Sequence, residues 1–301
     1  MNPSWSPDGR WLVFASNRDR RGSEATSLWL IEHRRGARPV RLTSGETVDR
    51  DPRFTPDGGA IIYASAPTSR GEATLDLWLQ PVDLAAGSAS GPPRRLTETA
   101  DVDELSPSPM PDGSGVVYMA IDRASQRSTL HALPLAGGRR AGEPRRLTDG
   151  PFDATPSVSP DGRTIAFAAP VAGRDDTDLH AIDAGGGNRR VLVDDPLGDE
   201  TGPAWSADGR WLFATSVIRS MEDGRPLMAA LVCADLRERT VLLRALHDPA
   251  GVITRLGVAV GPRTLDATAL HKNPLHRDKW RRILDQELER QRREAGGGGE
   301  P

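Results

Sequence analysis

Four acidic residues recur at one position of a repeated segment and could together bind a positively charged group. Asp49, Glu104, Asp153 and Glu200 each stand eight residues before an aspartate of a Pro-Asp-Gly or Ala-Asp-Gly triplet. We call these four residues the lead-in acids. If the segments that carry them surround a common axis, their carboxylates focus negative potential and favour a cation or a basic peptide segment. The competing interpretation is that each carboxylate accepts a hydrogen bond from a backbone N–H where a strand begins.

The histidines and the cysteine favour neither a metal centre nor a catalytic site. His131 and His180 stand where other repeats have Trp29 and Trp78, so we interpret both as packing residues. No G-x-S-x-G motif, H-E-x-x-H motif or EF-hand loop occurs in the sequence. Cys233 is the only cysteine, which excludes an internal disulfide and a cysteine-based zinc site. The sequence therefore predicts no catalytic residue, no metal and no cofactor.

Turn geometry accounts for the aspartates of the triplets. Proline presets φ at the first turn position, and an aspartate side chain bonds the backbone two residues further on. Glycine then accepts the positive φ that leads the chain into the next strand. The sequence predicts a tight hairpin at each of these aspartates: Asp8, Asp57, Asp112, Asp161 and Asp208.

These turns divide the chain into repeats of nearly equal length, with spacings of 49, 55, 49 and 47 residues. Each turn precedes an apolar strand such as "AIIYAS", whose two faces are both apolar, as in a strand buried between two layers. A further strand such as "DLWLQPVD" and a closing segment such as "PRRLT" complete each repeat. Four strands in a repeat of this length are typical of a propeller blade. The predicted fold class is an all-β propeller of four-stranded blades, five of them clear and a sixth degenerate or incomplete.

Composition and charge narrow the classes of partner. The chain has 301 residues with 31 glycines and 25 prolines, which is typical of many short elements joined by turns. Its formal net charge of −3 favours neither nucleic acid nor an anionic membrane as a partner. No apolar run is long enough to span a membrane, and the first residues lack the pattern of a signal peptide. We expect a cytoplasmic location for the chain as it stands, and a periplasmic or extracellular one if further residues precede Met1.

The repeat pattern resembles that of a known propeller family. The order P-x-[FW]-[ST]-P-D-G, an apolar strand, L-W and R-L-T is similar to the WD-repeat-like repeat of the TolB family, over residues 3 to about 245. The resemblance implies six blades, and "LGVAVGPRTLDATAL" at Leu256 resembles a sixth first hairpin, with Gly261 in place of the aspartate. It also implies a role in an envelope or multiprotein assembly.

The C-terminal residues follow a different pattern. We predict a propeller over residues 1–270, followed by an amphipathic helix and a glycine-rich tail over residues 271–301. The predicted helix carries one apolar face, formed by Trp280, Ile283, Leu284 and Leu288. We expect this face to cover the edge of the incomplete sixth blade, because uncovered edge strands promote aggregation.

Together these features predict a non-enzymatic scaffold that binds a protein or peptide, with the lead-in acids as contacts at the mouth of its channel. The alternative is the propeller domain of a larger enzyme or receptor, such as a prolyl-oligopeptidase-like peptidase, a kinase or a glycan-active enzyme. The catalytic part of that larger protein is absent from this chain, because residues 270–301 are too few to form a hydrolase domain. Fold alone does not decide between these functions.

Overall fold

The described part of the chain consists of β-strands and the turns between them. The computed structural model describes residues 3–20, 23–68, 73–173, 176–194, 198–219, 226–237 and 240–245. These residues form 22 strands and no helix, which confirms the all-β class and the five blades. The predicted sixth blade at Leu256 and the predicted helix within residues 271–301 lie outside the described residues.

The first three blades are antiparallel sheets whose strands follow one another in the sequence. Blade 1 contains β1 (Ser4–Trp5), β2 (Trp11–Ser16), β3 (Ser27–Glu32) and β4 (Val40–Arg41). Blade 2 contains β5 (Thr47–Phe54), β6 (Ala60–Pro67), β7 (Asp76–Asp83), β8 (Ser88–Ala89) and β9 (Arg94–Arg95). Blade 3 contains β10 (Val102–Pro109), β11 (Gly115–Asp122), β12 (Ser128–Ala136), β13 (Arg139–Arg140) and β14 (Arg145–Arg146). In blades 2 and 3 the fourth position is shared by two short strands that pair with the same third strand.

Two further sets of strands complete the described chain. Blade 4 contains β15 (Ala154–Val158), β16 (Thr164–Pro170), β17 (Thr177–Asp183) and β18 (Arg190–Val193). Blade 5 contains β19 (Gly198–Trp205), β20 (Trp211–Arg219), β21 (Pro226–Asp235) and β22 (Thr240–Ala245). The chain divides into two compact units, the first formed by Met1–Ala169 with Ile182–Arg189, and the second by Pro170–Ala181 with Arg190–Pro301.

The hydrophobic core of the first unit lies between successive blades. In β6, Ile61 packs in a cluster with residues of blade 1, whereas the adjacent Ile62 packs in a cluster with residues of blade 3. Neighbouring side chains of a strand point to opposite faces, so a strand apolar at every position joins two blades. In β11, Val116 and Val117 divide in the same way between two clusters. This arrangement confirms that the strand after each of these turns is buried on both faces.

The Pro-Asp-Gly turns have the predicted geometry. In the first turn, Asp8 Oδ1 accepts hydrogen bonds from the Ser6 hydroxyl at 2.5 Å and from the Arg10 backbone N–H at 3.0 Å. Gly9 has a φ of 69°, and its N–H donates to the Ser6 carbonyl oxygen at 2.9 Å. These hydrogen bonds, above all that of Ser6, lower the pKa of Asp8. The aspartate therefore serves turn geometry, as the sequence predicts.

A bulge interrupts the first strand of four blades at the residue before a proline. The register shifts at this point in β5, β10, β15 and β19. The residue there has a positive φ, between 49° and 63°, in each case: Asp51, Ser106, Thr155 and Gly202. A positive φ costs a non-glycine residue about 1–3 kcal/mol, so the fold must compensate for it. Part of the compensation is visible, because Asp51 Oδ2 accepts hydrogen bonds from the Ser106 hydroxyl at 3.1 Å and from its backbone N–H at 3.2 Å.

Candidate functional site

The lead-in acids are buried side chains. Asp49 and Glu104 are each 1% exposed, and Asp153 and Glu200 are each 0% exposed. Asp49, Glu104 and Glu200 lie within the first strands of their blades, and Asp153 directly precedes one. Burying a carboxylate is costly unless it is hydrogen-bonded or paired with a cation. The contribution of each acid to stability or to binding therefore depends on its hydrogen-bond and ion-pair partners.

Asp49 is held by hydroxyl groups from two blades. Its carboxylate accepts hydrogen bonds from Thr47 Oγ1 and Ser65 Oγ, both at 2.7 Å, and from Thr43 Oγ1. Thr43 follows the last strand of blade 1, and its hydroxyl oxygen also accepts the backbone N–H of Leu28 at 2.9 Å. The threonine hydroxyl therefore bridges the backbone of blade 1 and a carboxylate of blade 2. Burial raises the pKa of Asp49, and the hydroxyl donors oppose that rise.

Glu104 repeats this arrangement between blades 2 and 3. The hydroxyl of Thr97 accepts the backbone N–H of Leu77 at 2.8 Å and donates to Glu104 Oε2. Thr99 Oγ1 donates to Glu104 Oε1 at 2.7 Å. Burial raises the pKa of this carboxyl group as well. Thr97 and Thr43 both close an R-L-T segment, so the sequence signal for this contact was the threonine that ends each segment.

Asp153 has different partners. Arg189 Nη1 lies 3.0 Å from its Oδ1, and the backbone N–H of Gly150 donates to its Oδ2 at 3.1 Å. The hydrogen bond from Gly150 to Asp153 agrees with the interpretation that a lead-in acid accepts a backbone N–H. The carboxylates of Asp49 and Glu104 instead accept hydrogen bonds from hydroxyl groups. The interpretation of the lead-in acids as partner contacts stays a prediction.

A cavity of about 540 Å³ opens between blades 2 and 3 beside their Pro-Asp-Gly turns. We call it the turn-side cavity. Its lining includes the apolar side chains of Ile62, Leu79 and Leu135 and the prolines and aspartates of the two turns. Asp57 accepts hydrogen bonds from Thr55 and Gly59, and Asp112 accepts two from Ser114. These bonds lower the pKa of both aspartates, so the lining carries two negative charges at neutral pH.

Arg94 brings an unused hydrogen-bond donor to the turn-side cavity. Its Nη2 donates to the carbonyl oxygen of Gly138 at 3.4 Å, at the weak end of the range for a hydrogen bond. Its Nε is buried and has no hydrogen-bond partner among the residues that the structure describes. Leaving a buried donor without an acceptor costs about 1–3 kcal/mol. Because this Nε has almost no exposed surface, an oxygen of a bound group reaches it only after the Arg94 side chain shifts.

Within the described ranges, no group of three or more histidine, cysteine, aspartate or glutamate residues is arranged to hold a metal ion. The described residues also contain no helix that could span a membrane.

Comparison with known proteins identifies relatives of the fold. A family model described as the TolB beta propeller domain matches residues 1–209. No curated protein sequence matches the chain significantly. A protein assigned to TolB from Agrobacterium tumefaciens has 21% sequence identity and a TM-score of 0.64, with 88% of this chain and 84% of that chain covered. TolB from Acinetobacter baumannii has 16% identity and a TM-score of 0.59, with 86% of this chain and 55% of that chain covered.

An enzyme shares the same fold. Oligogalacturonate lyase in complex with manganese has 18% identity and a TM-score of 0.56, with 83% of this chain and 66% of that chain covered. At such identities the similarity shows the fold alone, and one fold serves many functions. The function of this chain must therefore be argued from its own residues.

Proposed function

The chain belongs to the TolB beta propeller domain family, and we propose that it is a non-enzymatic propeller that binds a protein or peptide partner. The partner's contact point is the turn-side cavity. The observation that carries the proposal is the turn-side cavity itself, which places Arg94, whose Nη2 makes only a long hydrogen bond of 3.4 Å to Gly138, beside an apolar lining. Peptide segments supply both a carbonyl acceptor and apolar side chains, in a fixed spacing along their backbone.

The lining of the cavity specifies the kind of segment that fits. Ile62, Leu79 and Leu135 favour an apolar side chain of the partner, because its burial there removes apolar surface from water. The volume of about 540 Å³ is in the range of sites that bind small ligands or a few residues of a peptide. Arg94 then donates to a backbone carbonyl or a carboxylate of the segment.

The turn aspartates add a preference for charge. Asp57 and Asp112 both line the cavity, and their lowered pKa values keep them ionised at neutral pH. A lysine or arginine of the partner placed next to its apolar residue meets these carboxylates. We therefore expect the preferred segment to combine an apolar residue with a neighbouring basic residue. Exposed charge pairs of this kind contribute more to selectivity and association rate than to affinity.

We propose the turn-side cavity, rather than the lead-in acids, as the first point of contact. Each lead-in acid is at most 1% exposed, so a partner reaches its carboxylate only after the surrounding side chains move. A role for the lead-in acids in binding stays a prediction, as does the alternative that the propeller serves a larger enzyme or receptor.

Selection from a display library of random short peptides tests the proposed function. The full chain serves as bait, with Arg94→Gln as the test variant and Arg163→Gln as the control, because Arg163 is an exposed arginine of another Pro-Asp-Gly turn. We expect peptides enriched in adjacent apolar and basic residues, bound by the parent chain and by Arg163→Gln. Arg94→Gln should weaken binding about tenfold or more, since a hydrogen bond to a charged donor contributes about 1.5–3 kcal/mol. Equal binding by all three proteins would contradict the proposal that the peptide binds in the turn-side cavity.

A further inference from the structure

A second cavity, of about 490 Å³, lies against blade 3. We call it the blade-3 pocket. Tyr118, His131 and Arg146 line it on three adjacent strands, together with Thr129 and Arg127. The rings of Tyr118 and His131 are 5.7 Å apart, and the Thr129 hydroxyl lies 3.1 Å from His131 Nε2.

Tyr118, His131 and Arg146 form a row of paired residues across the sheet, and blade 2 has a corresponding row. In blade 3 the strand register pairs Tyr118 with His131 and His131 with Arg146. In blade 2 the same register pairs Tyr63 with Trp78 and Trp78 with Arg95. Blade 2 is therefore an internal template for blade 3, with each position known from the pairing of the strands. On this template, Thr129 in blade 3 occupies the position of Asp76 in blade 2, two residues before the middle of the row.

The two blades neutralise their arginines differently. In blade 2, Arg95 Nη2 lies 2.5 Å from Asp76 Oδ2, and the Asp76 side chain is only 5% exposed. In blade 3 the corresponding threonine has no carboxylate. Arg146 Nη2 instead lies 3.2 Å from Asp149, whose side chain is 93% exposed. An ion pair so exposed to water contributes little.

Two cationic side chains and two carboxyl groups line the pocket, and they differ in how well they are paired. Arg127 and Arg146 are the two cationic side chains that line it, and Arg127 donates to the backbone carbonyl of Asp149 at 3.3 Å. Two carboxyl groups line it as well, and both already accept hydrogen bonds. Glu104 is held by Thr97 and Thr99, and Asp122 accepts the backbone N–H and the hydroxyl of Ser125.

We propose that the blade-3 pocket binds a small organic carboxylate, whose carboxyl group occupies the place that the Asp76 carboxylate takes beside Arg95 in blade 2. The guanidinium of Arg146 and the hydroxyl of Thr129 supply its donors. An apolar or aromatic body fits against Val102, Ala120 and Pro144, which also line the pocket. The blade-3 pocket is separate from the turn-side cavity, so a negative result for this pocket does not contradict the proposed function.

His131 gives the site a measurable signature. Burial lowers the pKa of its imidazole, and the charge of Arg146 lowers it further. A bound carboxylate opposes both effects, because it stabilises the imidazolium form. Of the other titratable groups that line the pocket, Glu104 and Asp122 favour the imidazolium, Arg127 and Arg146 disfavour it, and the pKa of Tyr118 is raised by burial, so its phenol stays neutral. We therefore expect the ligand to raise the pKa of His131 and to bind more tightly as the pH falls through that value.

Binding of 3-phenylpropionate to the full chain, followed by NMR of the His131 imidazole, tests the proposal. The uncharged 3-phenylpropanamide is the matched probe. We expect saturable binding of the acid in the millimolar range, a rise in the pKa of His131, and at least tenfold weaker binding of the amide. Thr129→Asp restores the internal carboxylate of blade 2 and should abolish binding of the acid.

Two further variants complete the test. Arg146→Gln removes the guanidinium without adding a charge and should weaken binding at least tenfold, so the test does not depend on the folding of Thr129→Asp. Arg145→Gln is the control, because Arg145 precedes Arg146 in β14 and pairs with Ala132 instead of His131. Equal binding of acid and amide, an unchanged pKa of His131, or equal losses in Arg145→Gln and Arg146→Gln would overturn the proposal.

Discussion

At the scale of single residues, one threonine and one acid join each of the first two pairs of neighbouring blades. Thr43 links the Leu28 N–H to Asp49, and Thr97 links the Leu77 N–H to Glu104. Each contact joins the third strand of one blade to the first strand of the next. The acids and the threonines of the R-L-T segments both recur in the sequence, but their contact cannot be predicted from it, because only the pairing of the strands brings Thr43 and Thr97 to the acids.

Removing the Asp49 carboxylate should destabilise the fold strongly. Asp49→Ala leaves the buried hydroxyl of Ser65 and the half-buried hydroxyls of Thr43 and Thr47 without their acceptor, for which we expect a loss of about 2–4 kcal/mol in the free energy of unfolding. Asp149→Ala is the control, since that side chain is 93% exposed and its loss should change stability by less than about 0.5 kcal/mol. Urea unfolding of the three proteins gives the comparison. Similar stability of Asp49→Ala and the parent chain would contradict this role.

The pH dependence of stability should change in Asp49→Asn. Because the pKa of Asp49 is raised in the folded state, the folded protein binds more protons than the unfolded chain between the unfolded and folded pKa values. The contribution of Asp49 to stability is therefore largest below its unfolded pKa and falls as the pH rises through the folded pKa. The asparagine variant lacks this loss, so its stability relative to the parent should improve as the pH rises above about 4, the pKa of an unfolded aspartate. Parallel curves of melting temperature against pH would exclude the effect.

At the scale of strands, the pattern of apolar side chains correctly predicts which strands are buried, but it does not predict the bulges. The strand "AIIYAS" reads as apolar on both faces, and Ile61 and Ile62 indeed pack in different clusters. The bulges at Asp51 and Ser106 have a positive φ directly before a proline. Local preferences favour extended backbone at such positions, so contacts in the folded chain, such as that of Asp51 with Ser106, must offset them. The sequence therefore shows the prolines of the bulges but not their geometry.

Close approach of two strands in blade 3 leads to a prediction for Gly115. A Cβ atom at this position would lie 2.8 Å from the backbone carbonyl oxygen of Leu133 in the neighbouring strand. We expect Gly115→Ala to lower the free energy of unfolding by about 1–3 kcal/mol, because the backbone must shift to accept the methyl group. Gly185→Ala is the matched control, since nothing lies within 4 Å of a Cβ there. Chemical unfolding measures the stability of both variants, and equal stabilities would contradict a steric conflict at Gly115.

At the scale of the whole molecule, repetition made most of the fold predictable. The five turn aspartates mark five blades, and the family match over residues 1–209 agrees with them. The candidate site was not predictable in the same way. Arg94 and the apolar lining of the turn-side cavity come from different strands of two blades, and no spacing in the sequence indicates that they share a cavity.

The cohesion of neighbouring blades rests on their shared hydrophobic clusters. Leu77 is fully buried in the cluster that blade 2 shares with blade 3. Leu77→Ala should cost about 2–5 kcal/mol, because it removes buried methyl groups and leaves a cavity. Val40→Ala serves as the control, since Val40 is 43% exposed. Calorimetric unfolding of both variants tests this, and a loss in Leu77→Ala no larger than in Val40→Ala would contradict the assignment of the core.

Hydrogen-exchange mass spectrometry of the full chain with a selected peptide bound shows whether the peptide occupies the turn-side cavity. We expect slower exchange in the segments that line the turn-side cavity, residues 55–62, 109–115 and 135–138. The same experiment with Arg94→Gln should show weaker protection at equal peptide concentration, and Arg163→Gln should match the parent chain. Protection confined to the segments that carry the lead-in acids, residues 47–50, 102–105, 153–154 and 198–201, would contradict the claim and return the site to those acids.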